Sequence, residues 1–273
     1  LLSQLAVLSP AAMTAQYGVP PDRADLMVPA AMTYLAIART AGVSTVIVPR
    51  VSVREGIILD LLQAPDTSAT DNTIMNAAIC LGRAHAFEEG HAQRVATLAL
   101  QLFDQLHTVH RLDSRVRRLL MAAALLHDIG ICQGYAKHHK QSLTLISQAT
   151  LPGLTSDEMA VVANTARYHR RKLPQPRHTA FAALSPQKQD IVCKLAAILR
   201  IADALDRRHC DAVRAVHVAV TSTAVIVHAD AVDTLEMEQA ALLKKADLFE
   251  RIFDLRVQLS VRPYSIAPSQ EVS

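Results

Sequence analysis

The chain has no tryptophan, and only five phenylalanines and five tyrosines stand among its 273 residues. So few flat rings leave little on which nucleobases can stack, and nucleic acid is not an expected partner. The four cysteines, Cys80, Cys132, Cys193 and Cys210, are far apart and form no CxxC pair. That spacing argues against both a zinc ribbon and a disulfide framework, so a reducing cytoplasm is the expected setting, with Cys132 read as core filler. Long apolar runs are also missing. MAAALL at 121–126 falls far short of the roughly 18 residues that span a bilayer, and no membrane segment is expected. The opening LLSQLAVLSPAAM lacks a basic leader and a cleavage site, and is read as part of a longer chain, not as a signal peptide. No internal repeat or low-complexity tract stands out.

What is present is apolar content and an uneven distribution of charge. Hydrophobic residues make up 51% of the chain, ample for a globular core. The net charge of +3 hides a division: residues 82–210 carry 18 basic against 10 acidic side chains, while both flanks are acidic. Ten of the 12 histidines lie in the same central block. Chemistry on an anionic substrate is therefore expected there.

Periodicity divides the chain into four parts. Residues 1–65 combine a helical pattern over Asp22 to Ala41 with β-branched residues in STVIVPRVSVREGII, too little for an independent core. QAPDTSATDN, from residue 63, has linker composition. Residues 66–209 are helical almost throughout, an all-α domain of about six helices, with a capping box at Thr155 and Glu158 and a helix start at Ser185 and Pro186. Residues 210–263 alternate as strands and include one amphipathic helix, giving a small ββαβ unit, and 264–273 form a flexible tail. The fold class is mainly α.

Several polar residues continue the apolar stripes of their helices. His91 extends the line of Val95, Leu98 and Leu102; His127 extends Leu120, Ala123 and Ala124, with Asp128 beside it and Gly130 placed to end the helix. His139 leads Leu143 and Ile146, whereas His138 aligns with Ser142 and is read as facing outward. His169 extends Met159, Val162 and Ala166, and Asp203 extends Val192, Ala196 and Leu199. One buried histidine is more often a hydrogen-bonded core residue than a ligand. Buried carboxylates, however, cost several kcal/mol unless paired or metal-bound, and a divalent cation satisfies several such groups at once. A set of imidazoles and carboxylates without thiolate suits Mn, Fe, Ni, Mg or Zn and does not choose among them.

The order His91, His127-Asp128, Asp203 resembles the HD superfamily of metal-dependent phosphohydrolases, an all-helical fold. The phrases RADLMVPAAMTYL, HAQRVATLALQLFDQL, AAALLHDIG, HHKQSLTLI, ARYHRR, LRIADALDRRH and KKADLFERIF are similar to the C-terminal half of exopolyphosphatases and guanosine pentaphosphate phosphatases. That resemblance implies the remnant of an actin-like α/β lobe before an HD-type helical bundle, and a small α+β unit after it. It also implies one or two divalent cations, with Asp128 bridging, His91, His127 and Asp203 on one ion and His139 and His169 on the other. The family's phosphate-binding glycine loops and catalytic glutamate belong upstream. Glu55 is read as structural, and Pro29, Ala30 and Ala31 stand where relatives often have glycine.

The implied activity is hydrolysis of phosphoanhydride or phosphoester bonds in polyphosphate or a phosphorylated guanine nucleotide. Asp128 and Arg94 are the candidate catalytic residues. Arg94, Lys140, Arg170 and Arg171 are the candidate phosphate contacts, and Asp206 with Arg207 a supporting pair. The alternative is a polyphosphate-binding and dimerisation module without its own turnover, in a protein expected to be a homodimer.

Overall fold

The structure, a computed structural model, describes residues 2–43, 45, 67–170 and 172–264. The strands expected after residue 43, Glu55, the linker up to residue 66, Arg171 and the tail from residue 265 lie outside the described residues. The chain divides into two compact units, residues 1–64 and 65–273.

In the first unit, short helices α1 (Leu2–Leu5), α2 (Pro10–Tyr17) and α3 (Pro21–Ala24) precede α4 (Met27–Thr40). Ser9 caps α2 by accepting a hydrogen bond from the Ala12 N–H. The single helix expected from Asp22 is broken at Asp25 and Leu26. Pro29 accounts for this: in a continuous helix its ring would meet the carbonyl four residues back, so the helix restarts at Met27.

The second unit is a helical bundle joined to a small sheet. Its helices are α5 (Thr67–Ala84), α6 (Glu89–Gln105), α7 (His107–His110), α8 (Arg117–Leu126), α9 (His138–Gln148), α10 (Ser156–Arg167), α11 (Thr179–Ala182) and α12 (Pro186–Leu205). Helix α8 is central, packed by α5, α6 and α10. Its stretch Leu119–Leu126 is buried at every position, as expected of a helix apolar all round. The capping box forms as read: Thr155 Oγ accepts from the Glu158 N–H, and Glu158 accepts from the Thr155 N–H. Ser185 likewise caps α12 ahead of Pro186.

Strands β1 (Val213–Val220), β2 (Ala224–Ala231) and β3 (Arg256–Pro263) form one sheet in that order. β1 and β2 are antiparallel, whereas β3 returns parallel to β2. Edge strand β1 is occupied by α6: Gln101 Oε1 accepts from the Val216 N–H at 3.0 Å, and Gln105 Oε1 accepts from the Val218 N–H at 2.8 Å. Side-chain amides thus satisfy a strand edge that would otherwise invite another chain.

The one helix expected between β2 and β3 is two, α13 (Glu236–Lys245) and α14 (Asp247–Phe253). The cause is Arg200, a buried cation on α12. Its Nε donates to the Lys245 carbonyl at 2.9 Å, occupying an acceptor that a continuous helix would use, and its guanidinium pairs with Asp247 at the junction of the two helices. Among the described residues no single helix is long and apolar enough to cross a membrane.

Candidate metal centre

Five helix ends converge on one point of the second unit. His91 lies in the first turn of α6, His127 and Asp128 follow α8, and His138 opens α9. His169 follows α10, and Asp203 lies near the end of α12. Each imidazole is anchored through Nδ1. His127 Nδ1 is 2.7 Å from the Ala124 carbonyl, His138 Nδ1 is 2.9 Å from the Tyr135 carbonyl, and His169 Nδ1 is 2.7 Å from the Ala166 carbonyl. A carbonyl only accepts, so each Nδ1 carries a proton, and in the neutral ring the lone pair falls on Nε2. His91 Nδ1 is held by the buried Asp206 carboxylate at 2.8 Å. These are the partners that orient metal-ligating histidines in general.

The lone pairs meet in two triads. His91, His127 and Asp203 each offer one donor atom within 4.8 Å of the others, and so do Asp128, His138 and His169. Asp128 faces both triads: Oδ1 is 3.1 Å from His138 Nε2 and 3.3 Å from His169 Nε2, and Oδ2 is 3.7 Å from His127 Nε2. His91 Nε2, His127 Nε2 and Asp128 Oδ1 are buried with no hydrogen-bond partner. Acceptors gathered this closely repel one another unless a cation lies between them, so each triad fits a divalent ion.

The protonation states suit the same role. Burial pushes His127 down, and pushes His169 down to about 3 despite the Asp128 charge, so both imidazoles are neutral near neutral pH. Burial also works against the charged form of Asp128, but His127, His138 and His169 outweigh it and hold the carboxyl well below the usual range. Asp203 is likewise depressed: its burial is outweighed by Lys245, which pairs with it, and by His127 and His169. His91 is raised: its desolvation is overcome by Asp206, Asp203 and Asp128.

The sequence reading of α9 is reversed. His138 is 1% exposed and inside the cluster, while His139, the expected ligand, lines a separate recess with Lys140. Ser142, the polar neighbour that suggested an outward face, is buried and accepts from the Gly130 N–H at 3.0 Å. His138→Ala is therefore expected to lower bound metal by about one equivalent and His139→Ala to leave it unchanged, read by metal analysis of reconstituted protein. Equal losses from the two variants would contradict this arrangement.

The other candidates are dispersed. Arg94 is three residues along α6 from His91, but its guanidinium pairs with Asp211 and reaches the Arg214 carbonyl, so it fastens α6 to β1. Arg170 is at the cluster, with Nη1 3.3 Å from His138 Nε2 and its guanidinium over the Tyr135 ring. Cys132 is exposed, against the expectation that it fills core space. Gly130 does not end its helix through a left-handed turn. It lies in the 3-10 turn Ile129–Gln133, where α9 crosses closely.

Beside the cluster opens a cavity of about 350 Å³, lined by Asp128, His138, His169, Arg170, Arg207 and Lys244 among others. Imidazoles and carboxylates line it together with cations, a set that accommodates an anionic ligand against a metal. Sequence reasoning missed Lys245, Arg200 and His209, whose ring stacks on His91 at 3.6 Å. The Asp206-Arg207 pair expected from the sequence is instead split between two roles, Asp206 behind His91 and Arg207 at the cavity.

Comparison with known proteins agrees with this region. Residues 75–254 match the family described as Ppx/GppA phosphatase, domain III. The chain belongs to that family. Curated proteins named guanosine-5'-triphosphate,3'-diphosphate pyrophosphatase are similar to it. One from Aeromonas hydrophila is 32% identical over 171 residues, covering 62% of this chain and 33% of the relative. One from Aeromonas salmonicida is 33% identical over 123 residues, covering 44% and 24%. One from Pseudoalteromonas translucida is 28% identical over 161 residues, covering 59% and 31%. The chain thus aligns with at most about a third of the length of these relatives. Every residue of the two triads lies within the segment that matches the Ppx/GppA family.

Proposed function

We propose that this Ppx/GppA region is a metal-dependent phosphohydrolase centre acting on phosphoanhydride bonds of a phosphorylated guanine nucleotide or polyphosphate. One observation carries the reading: the buried His91 Nε2, His127 Nε2 and Asp128 Oδ1 converge without hydrogen-bond partners, in a cluster whose imidazoles are each oriented through Nδ1. His91, His127 and Asp203 would hold one divalent ion, His138 and His169 a second, with Asp128 between them. Divalent ions there would supply a water acidified toward neutral pH and would neutralise charge on the phosphoryl oxygens. Asp206 keeps the His91 lone pair aimed at the site. Arg170, Arg207 and Lys244 line the cavity and would bind the phosphoryl oxygens of the substrate. The names of the curated relatives support guanosine pentaphosphate as the first substrate to try.

The experiment is to strip the purified chain with chelator, restore Mn, Zn, Mg, Ni or Fe in turn, and follow phosphate release from guanosine pentaphosphate and polyphosphate. Metal-dependent release is the expected result. Stoichiometric metal with no turnover on either substrate would remove the catalytic reading and leave a binding module.

A further inference from the structure

The turn that follows α12 holds His91 from two directions. Asp206 meets the edge of the ring at Nδ1, while His209 lies across its face, with ring centroids 3.6 Å apart and planes 5° from parallel. Rings stacked with so little offset are not a favoured resting arrangement, because their π-faces carry the same sign of charge, so both rings must be held. Asp206 pins His91, and the Glu88 carboxylate, 2.7 Å from Nδ1, pins His209.

These contacts belong to a longer clasp. Glu88, His91 and Arg94 follow one another at intervals of three at the start of α6, and they meet His209, Asp206 and Asp211 respectively. The turn is also tied to itself: the Asp206 carbonyl accepts from the His209 N–H at 3.1 Å, and Asp206 Oδ1 accepts from the Asp211 N–H at 3.3 Å. His209 and Asp211 have φ of 54° and 59°, a left-handed conformation that non-glycine residues keep only where their surroundings impose it. His209 borders both the cluster cavity and a hollow of about 410 Å³ that His91 also lines, and His91 is only 4% exposed.

One hydrogen bond tethers a single point of a ring and leaves the ring able to tilt about that point. A plate against the face removes the tilt. We infer that His209 is a positioning residue for the ion of the first triad: its ring fixes the plane of the His91 imidazole, so that Nε2 stays directed toward Asp203 Oδ1, 3.8 Å away. The ion rests on the metal-centre reading, whereas the pose of His91 does not, and the two are tested separately.

Zinc affinity is measured by chelator competition in the His138→Ala background, where the first triad is the remaining site. His209→Gln can still reach Glu88 but offers no ring, and is expected to weaken zinc by about tenfold, as for other outer partners of ligating histidines. His209→Phe restores the ring without the polar contact and is expected to return the affinity to that of the background. Any other order, including equal loss in both variants or none in either, would overturn the proposal. In a His91→Ala background, where the second triad remains, His209→Gln is expected to leave zinc affinity unchanged, and a drop there would mean general loosening in place of positioning. On metal-free protein, NMR is expected to show the His91 Nδ1–H as a slowly exchanging proton that disappears in His209→Gln and persists in His209→Phe. A chain that takes up no zinc would end the metal-centre reading and leave this proton to decide the role of His209; its persistence in His209→Gln would refute that role.

Discussion

Asp128→Ala is expected to reduce bound metal from two equivalents to at most one and to lower phosphate release by at least about a hundredfold, the kinetic equivalent of the several kcal/mol a metal ion contributes to phosphoryl chemistry. Its carboxylate is the one in the cluster that faces both triads, with Oδ1 toward His138 and His169 and Oδ2 toward His127. Removing it leaves three imidazoles without the anionic group that would bridge two cations. Asp206→Ala makes a useful contrast. Asp206 contacts His91 Nδ1 and no other member of either triad, so its loss is expected to cost about 10- to 100-fold in metal affinity, as for other outer partners of ligating histidines. Metal titration and steady-state kinetics on both variants measure the difference. An Asp128→Ala protein that still holds two equivalents would show that Asp128 is not a ligand.

The second large effect is steric. Gly130→Ala is expected to lower the melting temperature by about 5 to 10 °C, from an overpacking cost of about 3 kcal/mol in a unit of this size. A Cβ at residue 130 would stand 2.3 Å from the His138 carbonyl oxygen and 2.5 Å from the Ser142 backbone nitrogen. Both are backbone atoms of α9, so no side-chain rotation relieves the clash, and the helix itself must shift. That shift would carry His138 away from Asp128, so metal affinity is expected to fall along with stability. Gly90→Ala is the control: it lies in α6 with nothing within 4 Å of an added Cβ, and alanine favours the helix. Thermal melts with and without metal test both effects. A Gly130→Ala protein that melts with the wild type would contradict the close crossing of α9 over the 3-10 turn.

Much of this arrangement was legible in the amino-acid sequence, because helical periodicity reports which face of a helix is buried. Val95, Leu98 and Leu102 carry His91 inward, and Met159, Val162 and Ala166 carry His169 inward; all are buried as the spacing implies. The mainly helical class, the central basic block and the HD-type order of residues follow from the same local signals. Periodicity fails where a stripe can be drawn in two phases. Ile146 lies seven residues from His139 and eight from His138, and both spacings suit one helix face. Ser142 is polar, and its burial depends on the bare backbone of Gly130, which belongs to another element. Only packing between α9 and the preceding turn could choose His138.

The remaining supports are distant in sequence. Asp206 is 115 residues from His91, and Lys245 is 42 from Asp203. No local pattern encodes such pairings, because they exist only once α12 lies against both α6 and α13. The sequence by itself determined which helices carry inward-facing polar residues and what chemistry those residues allow. The tertiary structure decided which of two adjacent histidines enters the site, which carboxylate orients His91, and which cations line the cavity beside the cluster. Those outcomes depend on contacts between helix ends, and helix ends meet only in the folded chain.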